Sequence, residues 1–400
     1  MRAAAASFLL HCAIAAPAVA QSPAPATQAA SEAAGARADA LGLEALINDV
    51  YAYPERLPGG RFTLTPRLRA EAETVADRRS LLRFAERALM LLADHHAITG
   101  ASFSSSYAVV PTYADLWIEP RGARYLIEAV RSGSPAEAAG IRAGDALVEV
   151  GGVPTAQAVR AFWEDLGAEP LGERAGFAAR MLAAGRRDSP RRLTVEGPGG
   201  RRTLDLPSLY AVQRPNRPPV ETSREAGALV IRINDALGDS ATIAAFDAAM
   251  RQASPRQPIV VDLSETPSGG NTTVARAILG WFVEAPRFYQ MHSLPGEQRR
   301  TGIARQWVEQ VLPRPGLRHR GPVEVRVGRW TGSMGEGLAI GFHAIGASVT
   351  GSRMAGLLGA IYDHRLSHSG LVVKIPTERL MTVTGQPRES FVPRPLRRHR

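Results

Sequence analysis

The sequence predicts an α/β protein in three parts: a helical N-terminal cap, a β-rich module, and an α/β core built on a largely parallel sheet. Three observations predict it. From about Asn216, strand-like and helix-like runs alternate: "GALVIRIN", "SATIAAFDAAMRQA", "PIVVDLS", "NTTVARAILGWFV", then "PVEVRVG" and "EGLAIGFHAIG". Between Tyr125 and Pro154 come a strand, a helix capped by Ser134-Pro135, a stop at Gly140, a turn at "AGD" and a second strand. Upstream, "SLLRFAERALMLLADHH" sets Leu81, Leu82, Phe84, Ala85, Leu89 and Leu92 at helical spacing.

In chain order, "MRAAAASFLLHCAIAAPAVAQSPAP" carries a positive charge, an apolar run and the small residues "AVA" before Gln21. That is the pattern of a secretory signal spanning residues 1–20 and cleaved after Ala20. His11 interrupts the apolar run, which falls short of the ~20 residues a membrane span needs. The same bulky His11 argues against lipid attachment at Cys12. Cys12 is the only cysteine, so the processed chain is expected to lack disulfides, thiolate chemistry and cysteine zinc sites. The expected location is periplasmic or secreted, in a bacterium, with no membrane insertion. Residues 21–40, rich in Ala, Pro and Ser, read as a disordered linker, and 41–111 as the helical region.

The formal charge is +10 and almost wholly arginine, Lys374 being the single lysine. The arginines are scattered without interleaved aromatics, and the one cluster, "RPLRRHR", reads as a solvated tail. No nucleic-acid partner is expected.

Residues 112–207 form the β-rich module. "GSPAEAAGIRAGDALVEVGG" resembles, almost residue for residue, a PDZ domain of the type found in bacterial exported proteases. The helix "TAQAVRAFWEDLG", an Ala/Arg-rich insertion and the hairpin "RRLTVEGPGGRRTLDLP" complete it. The resemblance implies capture of an extended peptide by strand addition to a sheet edge near "ADLWIEP". Leu116 and Trp117 would then line the groove, although both suit a core equally well.

Residues 208–400 carry the chemistry. "IVVDLSETPSGGNTTVARAIL" sets an acid at a strand end, a Gly pair and a helix start, and "VEVRVGRWTGSMGEGLAIGF" sets Ser333 between glycines at a strand-to-helix turn. Ser333 there is either an ordinary cap or an exposed nucleophile whose neighbours' N–H groups face a developing oxyanion. The order of PDZ-like module, "DL…GG" and "TGSMGEG" resembles the tail-specific, or C-terminal processing, serine peptidases and their tricorn-type relatives, over roughly Leu81 to Pro393. The resemblance implies a peptidase with Ser333 as nucleophile, the backbone N–H groups of Gly270 and Met334 as oxyanion donors, a polypeptide substrate and no cofactor.

One departure matters. The lysine that activates serine in the processing peptidases is missing, because "GSRMAGLLG" has Leu357 and Leu358 in its place, and Lys374 lies too far along the chain. Histidine is the usual alternative base. Similarity to the tricorn-type branch implies His96, in "ADHHAITG", as base and Glu389, in "TGQPRESFVPRP", as the group that orients it. His95, His343 and Glu336 are the substitutes. A histidine base predicts activity rising through a pKa near ~6.5. His364 and His368, four apart, could share a helix face, but without a third ligand no metal site is expected. The competing reading is a peptide-binding or scaffold protein that has lost the chemistry, consistent with the absent lysine and with "DLSETPSGG", one residue longer than the usual turn.

Overall fold

The computed structural model describes residues 26–213 and 216–396, so the predicted signal, Cys12 and the end of the basic tail lie outside the described residues. The helical region consists of α1 (Ala26–Val50), α2 (Pro66–Glu73) and α3 (Arg78–Met90), followed by the short strand β1 (Ile98–Thr99). Helix α1 begins inside the segment expected to be a linker. Its alanines are strong helix formers, and Ala36, Ala40, Leu43 and Ile47 recur along one buried face against α3. Asp77 caps α3 through a reciprocal pairing with Ser80, and the predicted apolar residues of α3 are buried.

The second unit is a six-stranded antiparallel sheet in the order β2 (Leu116–Arg121), β3 (Arg124–Val130), β4 (Ala146–Val150), β6 (Arg191–Gly197), β7 (Gly200–Leu206), with β5 (Val153–Pro154) paired to β4. Ser134 caps the short helix α4 (Pro135–Ala138), and Gly140 turns the chain at φ 77°, as the local sequence predicts. Helix α5 (Thr155–Glu164) follows. The Ala/Arg-rich insertion folds into α6 (Glu173–Ala184), which packs along β2 and against α5. A fully buried pair fixes the start of β2: Arg191 Nη1 and Nη2 donate to Asp115 Oδ1 and Oδ2 at 2.5 and 3.0 Å, and Asp115 also accepts the Ala136 N–H.

The third unit has a five-stranded sheet in the order β14 (Ser348–Gly351), β13 (Val323–Val327), β10 (Ile259–Asp262), β9 (Ala228–Ile233), β8 (Val220–Glu225). It is parallel except for β8 at its edge. Helices α7 (Ala241–Met250), α8 (Thr272–Leu279) and α10 (Met334–Ala344) belong to it, Phe246, Ile278 and Leu338 sharing one core with Ile231 and Val261. A second, antiparallel sheet joins β11 (Arg287–Ser293), β12 (Gln306–Val311), β15 (Ala360–Arg365) and β16 (Val372–Met381), and takes in β1; α9 (Pro295–Thr301) links β11 to β12. His364 lies on strand β15, bonded to Thr377, and His368 lies in the following turn, so the two do not share a helix face.

The second and third units are bound by Arg131 to Glu265 at 2.8 Å, Arg329 to Glu128 at 2.8 Å, and the Trp330 indole N–H to the Ala114 carbonyl at 2.7 Å. Among the described residues no helix is long and apolar enough to cross a membrane.

Candidate active site

Strand β13 ends at Val327, and the chain crosses to α10 through "GRWTGS". The turn lies beside the "TPSGG" loop that follows β10. Thr266 bridges to Thr331, the Gly332 N–H donates to the Thr266 carbonyl at 3.1 Å, and Thr331 Oγ1 donates to the Leu263 carbonyl at 2.8 Å. Gly335 lets α10 sit this close: a Cβ there would lie 2.6 Å from Thr266 Oγ1.

At the first step of the helix, Ser333 adopts φ 50° and ψ −114°. A non-glycine residue held there costs on the order of 1–3 kcal/mol, and the surroundings impose it. The Ser333 N–H donates to Glu336 Oε2 at 2.9 Å. Glu336 is fully buried and also accepts the N–H groups of Gly356 and Leu357 at 2.8 and 3.2 Å. Burial drives its carboxyl up to about 7, against the opposing pull of Arg388 and these N–H donors.

The glycine pair approaches from the other side. A Cβ on Gly269 would lie 2.8 Å from Ser333 Oγ and 2.9 Å from the Met334 nitrogen, whereas one on Gly270 would run into Leu237. Gly269, at φ 72°, is therefore the residue against the reactive side chain. Among the described hydrogen bonds, the N–H groups of Gly269, Gly270 and Met334 have no acceptor. A strained serine at a helix N-terminus, with free N–H groups beside it, is suited to attack on a carbonyl and to holding the oxyanion that results.

His96 lies in the turn after α3. Its backbone N–H donates to Asp94 Oδ1 at 2.9 Å, and its Nδ1 lies 2.7 Å from the Leu358 carbonyl oxygen. A carbonyl can only accept, so Nδ1 carries the proton and Nε2 keeps a lone pair. That is the tautomer a general base requires. Burial lowers the His96 pKa to about 4, with Arg388 adding to the effect, which places it well below the ~6.5 expected of an ordinary histidine. Among the described residues no hydrogen bond joins His96 to Ser333.

Among the described residues no hydrogen bond joins Glu389, the predicted orienter, to His96. Glu389 is half-buried in a cavity of about 290 Å³ shared with Arg56, Asp94, Glu336 and Leu358, and its Oε2 has no hydrogen-bond partner. The acceptor at Nδ1 is instead a main-chain oxygen, which no side-chain pattern could reveal. Of the substitutes, His95 stacks on Phe177 with ring centroids 4.4 Å apart, His343 lies at the exposed end of α10, and Glu336 sits beneath Ser333. Lys374 pairs with Asp363 across the β15–β16 ladder. Among the described residues no group of three His, Cys, Asp or Glu side chains is placed to hold a metal ion.

Leu116 and Trp117 lie on the edge strand β2, as expected, but each is only 2% exposed. Helix α6 covers that edge. The guanidiniums of Arg180 and Arg329 lie 4.9 and 4.8 Å from the Trp117 ring centre, and Arg180 also donates to the Ile118 carbonyl. The two residues are core, and the side of β2 where a peptide would add is occupied by the chain itself.

Residues 126–161 match the family model described as PDZ domain. Across the whole chain, the solved structures give the architecture. The photosystem II D1 C-terminal processing protease superposes with a TM-score of 0.55 and 18% identity, covering 90% of this chain and 93% of its own. The fold is that of a C-terminal processing protease. Mature CPAF, in its complex with lactacystin, shares this processing-protease fold with a TM-score of 0.57 and 14% identity over 91% of this chain and 93% of its own. No curated protein sequence matches.

Proposed function

We propose that this chain is a serine endopeptidase, exported after removal of residues 1–20, that hydrolyses polypeptides with Ser333 as nucleophile and His96 as base. The observation that carries the reading is the strained Ser333 at the N-terminus of α10, with unpaired N–H groups at Met334 and the Gly269-Gly270 pair. Strain of this kind at a reactive hydroxyl persists only where the surroundings enforce it. Ser333 Oγ bonds to the substrate carbonyl carbon as its proton passes to His96 Nε2, and the oxyanion is received by the free N–H groups. The imidazolium returns the proton to the departing amine, and the acyl-enzyme is then hydrolysed by a water that His96 deprotonates. Glu389 acts on this site through the polar cavity it shares with Asp94, not by direct contact with the base.

A non-catalytic binding protein is the second reading, favoured by the lack of a hydrogen bond between His96 and Ser333. A fluorophosphonate probe separates the two. The catalytic reading expects a mass increment on Ser333 that is absent from Ser333→Ala and at least ~100-fold slower in His96→Ala. An unlabelled wild-type protein would refute it.

A further inference from the structure

The turn that lies where a lysine was missed, "GLLG" at 356–359, is bonded on every side. Its N–H groups at Gly356 and Leu357 go to Glu336, which also holds the Ser333 N–H. Its carbonyls alternate in their partners. Those of Leu357 and Gly359 each accept from Arg388 Nη2 at 2.8 Å, and the one between them, on Leu358, faces His96 Nδ1. Arg388 is 1% exposed, lies 3.8 Å from Glu336, and leaves its Nε without a partner. An arginine buried this completely costs desolvation energy that only a structural or functional demand offsets.

We propose that Arg388 is a positioning residue of the catalytic site: by clamping the carbonyls on both sides of Leu358, it aims the Leu358 oxygen at His96 Nδ1 and so fixes the base tautomer. This deepens the peptidase reading and rests on His96 being the base, but the clamp itself is a matter of geometry. It also explains how the chain manages without the lysine, since the turn that would have carried it supplies a main-chain acceptor to a histidine instead. Both bonds leave one terminal nitrogen, so a lysine ammonium could keep part of the clamp, whereas methionine supplies no donor at all.

The charges facing the base are Arg388 from the C-terminal segment and Asp94 from its own turn. Asp94 is in turn flanked by Tyr51, Arg56 and Glu389, while Glu336 and Glu389 face Arg388. Removing the Arg388 charge takes away one influence that lowers the His96 pKa.

The test uses the full chain with Arg388→Met and Arg388→Lys. Long-range nitrogen–proton NMR of His96 reads the tautomer directly, without any substrate. Wild type is expected to hold the proton on Nδ1, Arg388→Met to populate both tautomers, and Arg388→Lys to fall between them. The pH dependence of fluorophosphonate labelling is the second readout. Arg388→Met is expected to label Ser333 at least ~10-fold more slowly, with its acid limb moved to higher pH. An unchanged His96 tautomer and an unchanged limb in Arg388→Met would overturn the clamp. If wild type failed to label while its tautomer still depended on Arg388, the peptidase reading would fall and the clamp would stand. Far-ultraviolet circular dichroism of each variant separates a lost clamp from a lost fold, and a variant that unfolds is replaced by Arg388→Gln.

Discussion

Arg180 on α6 donates to the main-chain oxygen of Ile118 at 3.2 Å, and Ile118 lies on the edge strand of the PDZ sheet. A peptide joining that edge would need its carbonyls and N–H groups for its own ladder. The same arginine reaches the ring of His95, next to the proposed base, at 3.0 Å and stacks on Trp117. Helix α6 thus fills the recognition edge and leans on the turn that carries His96.

The full chain should accordingly bind peptides with free C-termini no better than their amidated copies, as read by fluorescence anisotropy. Phe177 is the anchor of α6, set among His95, Phe162 and Trp163. Phe177→Ala should destabilise the protein by ~3–5 kcal/mol in urea unfolding. Submicromolar binding of a C-terminal peptide by the wild-type chain, or native stability in the variant, would show that α6 does not close this edge.

Two adjacent glycines should fail in different ways. In Gly269→Ala the new methyl meets Ser333 Oγ and the Met334 nitrogen, so labelling and hydrolysis should fall by at least ~100-fold. Part of the damage is backbone strain at φ 72°, on the order of 1 kcal/mol. In Gly270→Ala the methyl meets the main chain of Leu237, so the loss should appear as a lower melting temperature. Equal activity of Gly269→Ala and wild type would remove Gly269 from the site.

Much of this was legible in the sequence, for stated reasons. Ser134, Gly140 and the "AGD" turn encode their conformations locally, and so the PDZ-like unit could be read residue by residue. The β13–α10 turn was legible because only glycines tolerate the close approaches beside Ser333. Helix α6 was not, because Gly176, Phe177, Ala178, Ala179, Met181, Ala183 and Ala184 are buried around much of its circumference and leave little periodicity. Helix α1 was hidden by composition, since alanines that pack read like alanines that do not. In the site, the acceptor at His96 is a backbone oxygen fixed by contacts 262 positions away along the chain.

Glu336 should tolerate no neutral isostere. Its two oxygens accept three backbone N–H groups, and the amide of Glu336→Gln would turn a donor toward at least one of them. Leaving a buried donor unpaired costs ~1–3 kcal/mol. The variant should lose about that much stability in chemical denaturation and label at Ser333 at least ~10-fold more slowly. Wild-type labelling in Glu336→Gln would mean that the carboxylate does not set the serine.

The pH profile separates His96 in this fold from an ordinary histidine. Only the neutral imidazole can accept the serine proton, and burial lowers the His96 pKa to about 4. The acid limb of kcat/KM, or of fluorophosphonate labelling, should therefore lie nearer pH 4 than ~6.5. The sign for stability follows from the same depression. The folded protein binds the His96 proton more weakly than the unfolded chain does, so this contribution is full above ~6.5 and is lost as pH falls through about 4. Asp94 and Glu336 act oppositely. Burial raises them to about 6 and about 7, so what they contribute is full below ~4 and is lost as pH rises through those values. His96→Gln should thus remove only the fall in stability that His96 causes between ~6.5 and about 4, leaving the opposing slope of Asp94 and Glu336, which runs from ~4 up to about 7. An acid limb near ~6.5 in the wild-type protein would mean either that the base is exposed to water when it works or that protonation of Glu336, raised to about 7, sets the limb.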